Sequence, residues 1–373
     1  ALMDQVRFYG NIEVGREISL SDLREMYDAV VLAQGAPVDR TLNIPGADKP
    51  GVFGAAAFVG WYNAHPDFRN LNPNLDVQAA AVIGVGNVAI DVARLLSRSD
   101  KGLAVTDLPD YAETAMSRSP IIDVYLFGRR GPLDAKFTNV ELREFGELSQ
   151  CVPQVKTDQL PDGVGDLEGR EKRLKERNLE TLRQFSERQP DEKPNRVHFE
   201  FFASPSEILG ADKVEAIRLE RTRVEGGRAI GTGEFFDVAC GLVVSAIGYR
   251  GIPLEGAPFD ERSGIIPNDD GRIEDGLYAA GWIKRGPSGV ISTNRPDGVT
   301  AAGHIHNEYA SGAIGGKPGR EALEPFLRER NFRFVSYSDW KTIEAAEINN
   351  ADAGRPRKKF VTIQEMLDVL DNT

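Results

Sequence analysis

Apolar runs alternate along this chain with segments of helical spacing. Residues 6–15 form short extended pieces, and Ser19 and Asp22 sit where a helix over 19–26 starts. The run Ala29–Ala33, closed by Gly35, predicts a buried strand that ends at a tight turn. A second run starts near Gln78 in QAAAVIGVGNVAIDVARLL and changes to helical spacing at Val88, Val92 and Leu95, which predicts strand, turn and helix in succession. IIDVYLFG over 121–128 predicts the next strand, and 138–150 a helix opened by Thr138. Two strands follow over 196–224, one long strand over 235–249, one over 276–282, and a helix from Thr293 to Ala310. Residues 37–76, rich in Pro, Gly, Asn and Asp, read as connecting loops around an aromatic cluster at Trp61 and Tyr62. The polar stretch 98–119 reads as an insertion, and 169–193, dense in Arg, Lys and Glu, as a solvated helix with i,i+4 pairs. Strands alternating with helices make the expected class α/β.

Composition narrows this picture. At 373 residues two domains are expected, and 41% hydrophobic with 27% charged residues suits a soluble globular chain. The formal charge of −12 argues against nucleic-acid binding as the main task. No run approaches the ~20 apolar residues of a membrane span, and the start lacks a basic and apolar leader, so the expected location is cytoplasmic. Ala1 is not an initiator Met, which fits a processed chain or a fragment. Cys151 and Cys240 are far apart and there is no C-x-x-C, which excludes a dithiol redox enzyme and a zinc ribbon. The four histidines lack metal spacing, so no metal site is expected.

The strongest local signal is Gly84-Val85-Gly86-Asn87-Val88-Ala89, a G-x-G-x-x-A set between a strand and a helix. The first glycine permits the tight turn and the second lets a pyrophosphate approach the backbone, while the small third residue packs helix against strand. Free N–H groups at the helix start then face the phosphates. The end of the following strand reads Gly128-Arg129-Arg130-Gly131-Pro132, where an NAD enzyme would carry Asp or Glu. Two guanidinium groups suit a 2′-phosphate, so NADP is expected over NAD.

IGVGNVAIDVARLL, FGRRGPLDAKFTNVELRE, SAIGYRG and AAGWIKRGPSGVISTN, in this order, resemble the adrenodoxin reductases and bacterial NADPH–ferredoxin reductases of the glutathione-reductase-like flavoproteins. NIPGAD, FVGWYNAHP and GRPRKKFVTIQEML extend the likeness over essentially the whole chain. The resemblance implies two Rossmann-like three-layer dinucleotide-binding domains: an NADP domain over 41–246, and a discontinuous FAD domain left in 1–40 and 247–373. It implies that Gly84, Gly86, Asn87 and Val88 hold the NADP pyrophosphate and that Arg129 and Arg130 hold the 2′-phosphate. Glu141 falls where the family contacts the nicotinamide-side ribose or amide, and Glu144 where an acidic residue assists proton handling. Gly35 lies near the FAD; Trp282 with Gly289, Val290 and Ile291 matches the segment facing the flavin. Ser292 replaces the Gly common there. The implied partner is an acidic ferredoxin-type iron–sulfur protein, with Arg143 at a docking position and Lys136, Lys284 and Arg285 extending a basic patch.

The family opens with a βαβ unit whose G-x-G-x-x-G/A holds the FAD pyrophosphate, and no such element lies within these 373 residues. The expectation is therefore an NADPH–ferredoxin reductase whose FAD domain is incomplete at its N-terminus. Two alternatives remain open from sequence: a non-catalytic NADP-binding module, and the NADPH-oxidising subunit of a larger flavoprotein complex. Two isolated cysteines speak against the second, since that class carries cysteine clusters.

Overall fold

The computed structural model describes residues 5–289 and 291–372. Contacts divide the chain into two compact units. One is Ala1–Arg40 with Gly248–Ala346 and Met366–Thr373; the other is Thr41–Ile247 with Glu347–Glu365.

The second unit is built on six parallel strands: β1 (Val52–Gly54), β2 (Ala79–Ile83), β3 (Asp123–Gly128), β4 (Cys151–Val155), β5 (Asn195–Phe201) and, after three strands of another sheet, β9 (Leu242–Ser245). Their order is β1-β9-β2-β3-β5-β4. In β2, Ala80 to Ile83 are all buried because both faces of this central strand are covered, which is why its sequence shows no alternation. The helices α1 (Ala55–Tyr62), α2 (Asn87–Leu96), α3 (Asn139–Glu147) and α4 (Gly169–Ser186) belong to this unit. Phe199 of β5 anchors the helical layer, with Phe145 of α3 edge-on at 5.4 Å and Phe185 of α4 at 6.0 Å.

An antiparallel sheet of β6 (Ala203–Leu209), β7 (Ala216–Glu225) and β8 (Arg228–Ala239) covers the opposite face. Ile208, Ile217 and Leu219 pack there against Ala81, Ile83, Phe127 and Val243. The unit is therefore three layers of sheet, sheet and helices. The connection order reverses between β9 and β2, which makes the C-terminal end of β2 the switch point where ligands bind in such sheets.

Four expectations need correction. Residues 37–76 are not all loop: α1 lies within them and buries Ala55, Phe58, Trp61 and Tyr62. Its nearly uniform apolarity gives no polar face, so periodicity cannot mark it. The stretch 98–119 carries helices at Asp100–Leu103 and Asp110–Ser117, the latter burying Ala112 and Met116. The segment 235–249 is not one strand; the chain leaves β8 and enters β9 in the other sheet at Gly241, where a Cβ would stand 2.4 Å from Val77. The charged helix α4 is not simply solvated, because Lys175, Asn178, Leu179, Thr181, Leu182 and Phe185 are buried. In addition, Glu347–Glu365 packs with the second unit rather than with the first. Arg355 pairs there with Glu113, Lys358 with Asp110 at 2.9 Å and Lys359 with Asp107 at 3.1 Å, so the acidic insertion attracts the basic GRPRKK run.

The first unit holds a three-stranded sheet in which Val30–Leu32 runs parallel to Leu277–Ala279, itself antiparallel to Arg272–Glu274. Its helix Leu20–Met26 opens with a capping box between Ser19 and Asp22. Leu20, Leu32, Ile266, Leu277, Ala279 and Ile283 form its core.

Candidate functional site

The turn after β2 is shaped by backbone demands. Gly84 has φ +129°, and a Cβ on it would lie 2.4 Å from the Ala246 carbonyl oxygen. Only glycine fits that approach to the end of β9. Gly86 is the N-cap of α2, and a Cβ there would meet nothing within 4 Å. The space in front of it is open, and no side chain caps the helix. Ala89 is fully buried where α2 leaves the sheet. Uncapped N–H groups facing open space form an anion cradle.

At the end of β3 the chain bends through Arg129 and Arg130. The Thr222 hydroxyl donates to the Arg129 carbonyl at 2.8 Å, and the Phe202 N–H to that of Arg130 at 3.3 Å. Gly131 packs closely here, since a Cβ would lie 2.7 Å from the tip of the Phe202 ring. The two guanidinium groups differ. Arg130 pairs with Asp134 at 2.7 Å and donates to the Gly227 carbonyl at 3.2 Å, whereas Arg129 is exposed.

Residues 135–138 link this bend to α3, and hydrogen bonds pin them to the turn. The Lys136 N–H donates to the Val85 carbonyl at 2.8 Å, and the Thr138 N–H to Oδ1 of Asn87 at 2.8 Å. The Asn87 side chain thus joins the starts of α2 and α3; sequence assigned the residue to the pyrophosphate and could not show this link. Thr138 is the N-cap of α3, but its hydroxyl makes no capping bond.

Glu141, in the first turn of α3, buries Oε2 without a partner. Such an acceptor calls for a donor from outside the chain. Nearby, Arg94 of α2 pairs with Asp91 at 2.8 Å and with Glu144 of α3. Burial raises the Asp91 carboxyl above the usual range, the charge of Glu141 adds to this, and Arg94 opposes it. Arg143, on the same helix, is exposed. The turn, the arginine bend, Glu141, Arg143 and Glu144 are therefore gathered in one unit.

The remaining predicted residues lie in the other unit. Gly35 ends the strand Val30–Leu32 with φ +72° and open space where a Cβ would stand. Trp282 donates from its ring to the Ser288 carbonyl at 3.2 Å. Gly289 has φ +81°, and a Cβ there would meet Thr293 at 2.2 Å. Ile291 is 92% exposed at the start of a 3-10 turn leading into the helix Arg295–Ser311. Val290 lies outside the described residues.

Lys284 and Arg285 do not extend a free basic patch. Both are drawn to the buried Asp297 in the first turn of that helix, at 3.2 and 2.8 Å, and Lys284 also pairs with Asp270 at 2.8 Å. Burial works against the charged Asp297, but hydrogen bonds from Arg285 and Lys284 outweigh it and hold the carboxyl below the usual range. A buried carboxylate needs such partners, and the pair of basic residues in WIKR is the only sign of this that sequence offers.

Both cysteines are free and buried, and burial pushes the Cys151 thiol up to about 11 and that of Cys240 to about 12. Neither is a thiolate nucleophile at neutral pH. Among the described residues no helix is long and apolar enough to cross a membrane.

No protein-family model matches the chain. It is 39% identical over 397 residues to the mitochondrial NADPH:adrenodoxin oxidoreductase of Bos taurus, covering 99% of this chain and 79% of that protein. It is 40% identical over 378 residues to NADPH-ferredoxin reductase FprA of Mycobacterium tuberculosis, covering 97% of this chain and 83% of that one. The solved structure of Mycobacterium tuberculosis FprA in complex with NADPH superposes with a TM-score of 0.91 at 40% identity, again over 97% and 83% of the two chains. On this similarity, the chain belongs to the family of the NADPH:adrenodoxin oxidoreductases and NADPH–ferredoxin reductases.

Proposed function

We propose that this protein is an FAD-dependent NADPH–ferredoxin oxidoreductase of the cytoplasm, with NADP(H) held by the unit carrying the Gly84 turn and FAD by the other. The observation that carries this reading is the pairing of an uncapped helix start at Gly86 with two arginines at the end of β3. Phosphates fit the first and a 2′-phosphate the second. The names of the relatives, which pair NADPH with adrenodoxin or ferredoxin, supply the electron acceptor class.

When bound, NADPH supplies a hydride and FAD divides that electron pair for an acceptor that takes one electron at a time. The chain's own residues do the positioning. Gly84 and Gly86 open the cradle; the N–H groups of Asn87 and Val88 face the pyrophosphate. Arg129, untied, closes on the 2′-phosphate, while Arg130 is held ready by Asp134. Glu141 accepts from a ribose hydroxyl or the nicotinamide amide through its unmet oxygen. Glu144, anchored by Arg94, is kept as the residue that handles a proton.

In the other unit Gly35 leaves room beside the strand end, and Trp282, Gly289 and Ile291 present the turn before the helix Arg295–Ser311. The N-terminal end of that helix favours negative charge on a reduced flavin. Arg143 steers an acidic iron–sulfur partner. With buried, protonated thiols, electrons leave for such a partner rather than for a protein dithiol.

Steady-state reduction of a ferredoxin-type protein by the intact flavin-loaded protein tests this reading. NADPH is expected to support it and NADH to do so poorly. Oxidation of NADPH that reaches ferricyanide but never ferredoxin would remove the proposed partner class. NADPH binding without any turnover would favour the non-catalytic module.

A further inference from the structure

The charged helix α4 reaches the arginine bend from behind. Three of its polar side chains are buried in sequence steps of three, Lys175, Asn178 and Thr181. Lys175 and Asn178 each bond an alternate residue of the segment beyond the bend, and Thr181 bonds the first residue of α3. Lys175 Nζ donates to the Ala135 carbonyl at 2.6 Å, Asn178 Nδ2 to the Phe137 carbonyl at 3.2 Å, and Asn139 Nδ2 to the Thr181 hydroxyl at 3.0 Å. The intervening residues, 136 and 138, donate from their backbone to Val85 and Asn87 of the turn. The segment is thus held on one side by α4 and on the other by the phosphate turn. Across a trans peptide the carbonyl and the following N–H point in opposite directions, which lets the 135–136 and 137–138 peptides bond to both sides.

Lys175 is the charged member of this ladder, 7% exposed. An ammonium has three donors, and a neutral amide would serve a single carbonyl as well. The charged groups around it are Lys136 and Arg130, of the same sign, and Glu171 and Asp134, of the opposite sign. Burial lowers its pKa, and the charge of Lys136 lowers it further. Glu171 and Asp134 offset part of this, yet burial still disfavours the charged ammonium, so an added anion nearby would stabilise it, and burial keeps its field strong.

We propose that Lys175 is a positioning residue for the 2′-phosphate: it fixes the segment 135–138 beneath the arginine bend and adds a third, buried cation to Arg129 and Arg130. This rests on the reading of the bend as an NADP site. It explains why a helix of such charge turns a lysine inward, and it makes cofactor choice depend on an element that does not belong to either motif.

The test is calorimetric titration of the intact protein with 2′,5′-ADP, NADP+ and NAD+, comparing wild type with Lys175→Met and Lys175→Arg. Lys175→Met is expected to weaken 2′,5′-ADP and NADP+ about tenfold and NAD+ less than twofold, and Lys175→Arg to recover most of the loss. If Lys175→Met does not yield folded protein, Lys175→Gln, which keeps a donor for Ala135 and removes the charge, carries the same comparison. Equal losses for NADP+ and NAD+, or no loss for either, would overturn the proposal while wild type still prefers NADP+. A wild type that binds both alike would overturn the underlying NADP reading instead.

Discussion

At the residue scale, the two adjacent arginines are not equivalent. Arg130 is already committed to Asp134 and the Gly227 carbonyl, so it arrives oriented; Arg129 is exposed and brings an untied charge. Charge-assisted hydrogen bonds contribute about 1.5–3 kcal/mol each, roughly ten- to a hundredfold in affinity. Arg129→Ala combined with Arg130→Ala is therefore expected to weaken NADPH by at least about a hundredfold and to leave NADH nearly unchanged. Fluorescence titration with both nucleotides checks this, and equal loss for both would remove the 2′-phosphate assignment. Glu141→Gln should affect both cofactors alike, because the ribose or amide proposed as its partner is common to them. The glycine turn itself was legible in sequence because a G-x-G-x-x-A set between a strand and a helix demands that backbone geometry. The partners of the site residues were not: the bonds from Arg130 to Gly227 and from Thr138 to Asn87 join residues too far apart in the chain for any periodic signal. Lys284 and Arg285 show the opposite error, since two basic residues looked available until the fold supplied Asp297.

At the scale of elements, the turn depends on how closely β2 and β9 approach beyond their ends. Gly84→Ala combines a φ of +129° with a contact of 2.4 Å to backbone, so the whole turn must move. A loss of stability on the order of 1–3 kcal/mol is expected, with weaker binding of either cofactor, as read from urea unfolding and titration. β3 and β5 are joined by Asp123, which accepts from Arg196 at 2.7 and 2.9 Å and lies 2.7 Å from His198 Nε2. Burial acts to raise the Asp123 pKa, but these bonds prevail and hold it below the ordinary value. The sign follows: the ionised form stabilises the fold above the unfolded pKa of about 3.9, and that contribution fades as pH falls through the lower folded value. Asp123→Asn should thus lower the melting temperature at pH 7, and the gap to wild type should shrink below about pH 4. A gap that widens in acid would contradict the assignment. The parallel strands were legible from their apolar runs, and α2 from the change in period. The first helix, α1, was not, because it is apolar on every side; α4 was found but misjudged, because a charged sequence conceals which few polar side chains turn inward.

At the scale of the whole molecule, the acidic partner proposed here would meet a chain of formal charge −12. Exposed Arg129, Lys136 and Arg143 lie on the elements that also carry the cofactor residues. Exposed charges act chiefly on association rate and are screened by salt. Arg143→Glu is expected to lower kcat/KM for ferredoxin about tenfold at low ionic strength, less at high, with ferricyanide reduction unchanged. A parallel fall with ferricyanide would place Arg143 in the chemistry and not in docking. Length and the order of the motifs led to an expectation of two domains, with 247–373 wholly in one of them. The return of Glu347–Glu365 onto the second unit was not legible, since ion pairs between distant segments such as Lys358 and Asp110 have no local signature.

The central claim is that this protein takes hydride from NADPH at the Gly84–Arg130 site and delivers single electrons to an iron–sulfur protein. Anaerobic stopped-flow on the flavin-loaded protein tests it most directly, by mixing first with NADPH or NADH and then with oxidised ferredoxin. NADPH should bleach the flavin absorbance at least about a hundredfold faster than NADH at equal subsaturating concentration, and ferredoxin should restore it in two one-electron phases. Bleaching at the same rate by both nucleotides, or a reduced flavin that ferredoxin leaves unchanged, would contradict the account.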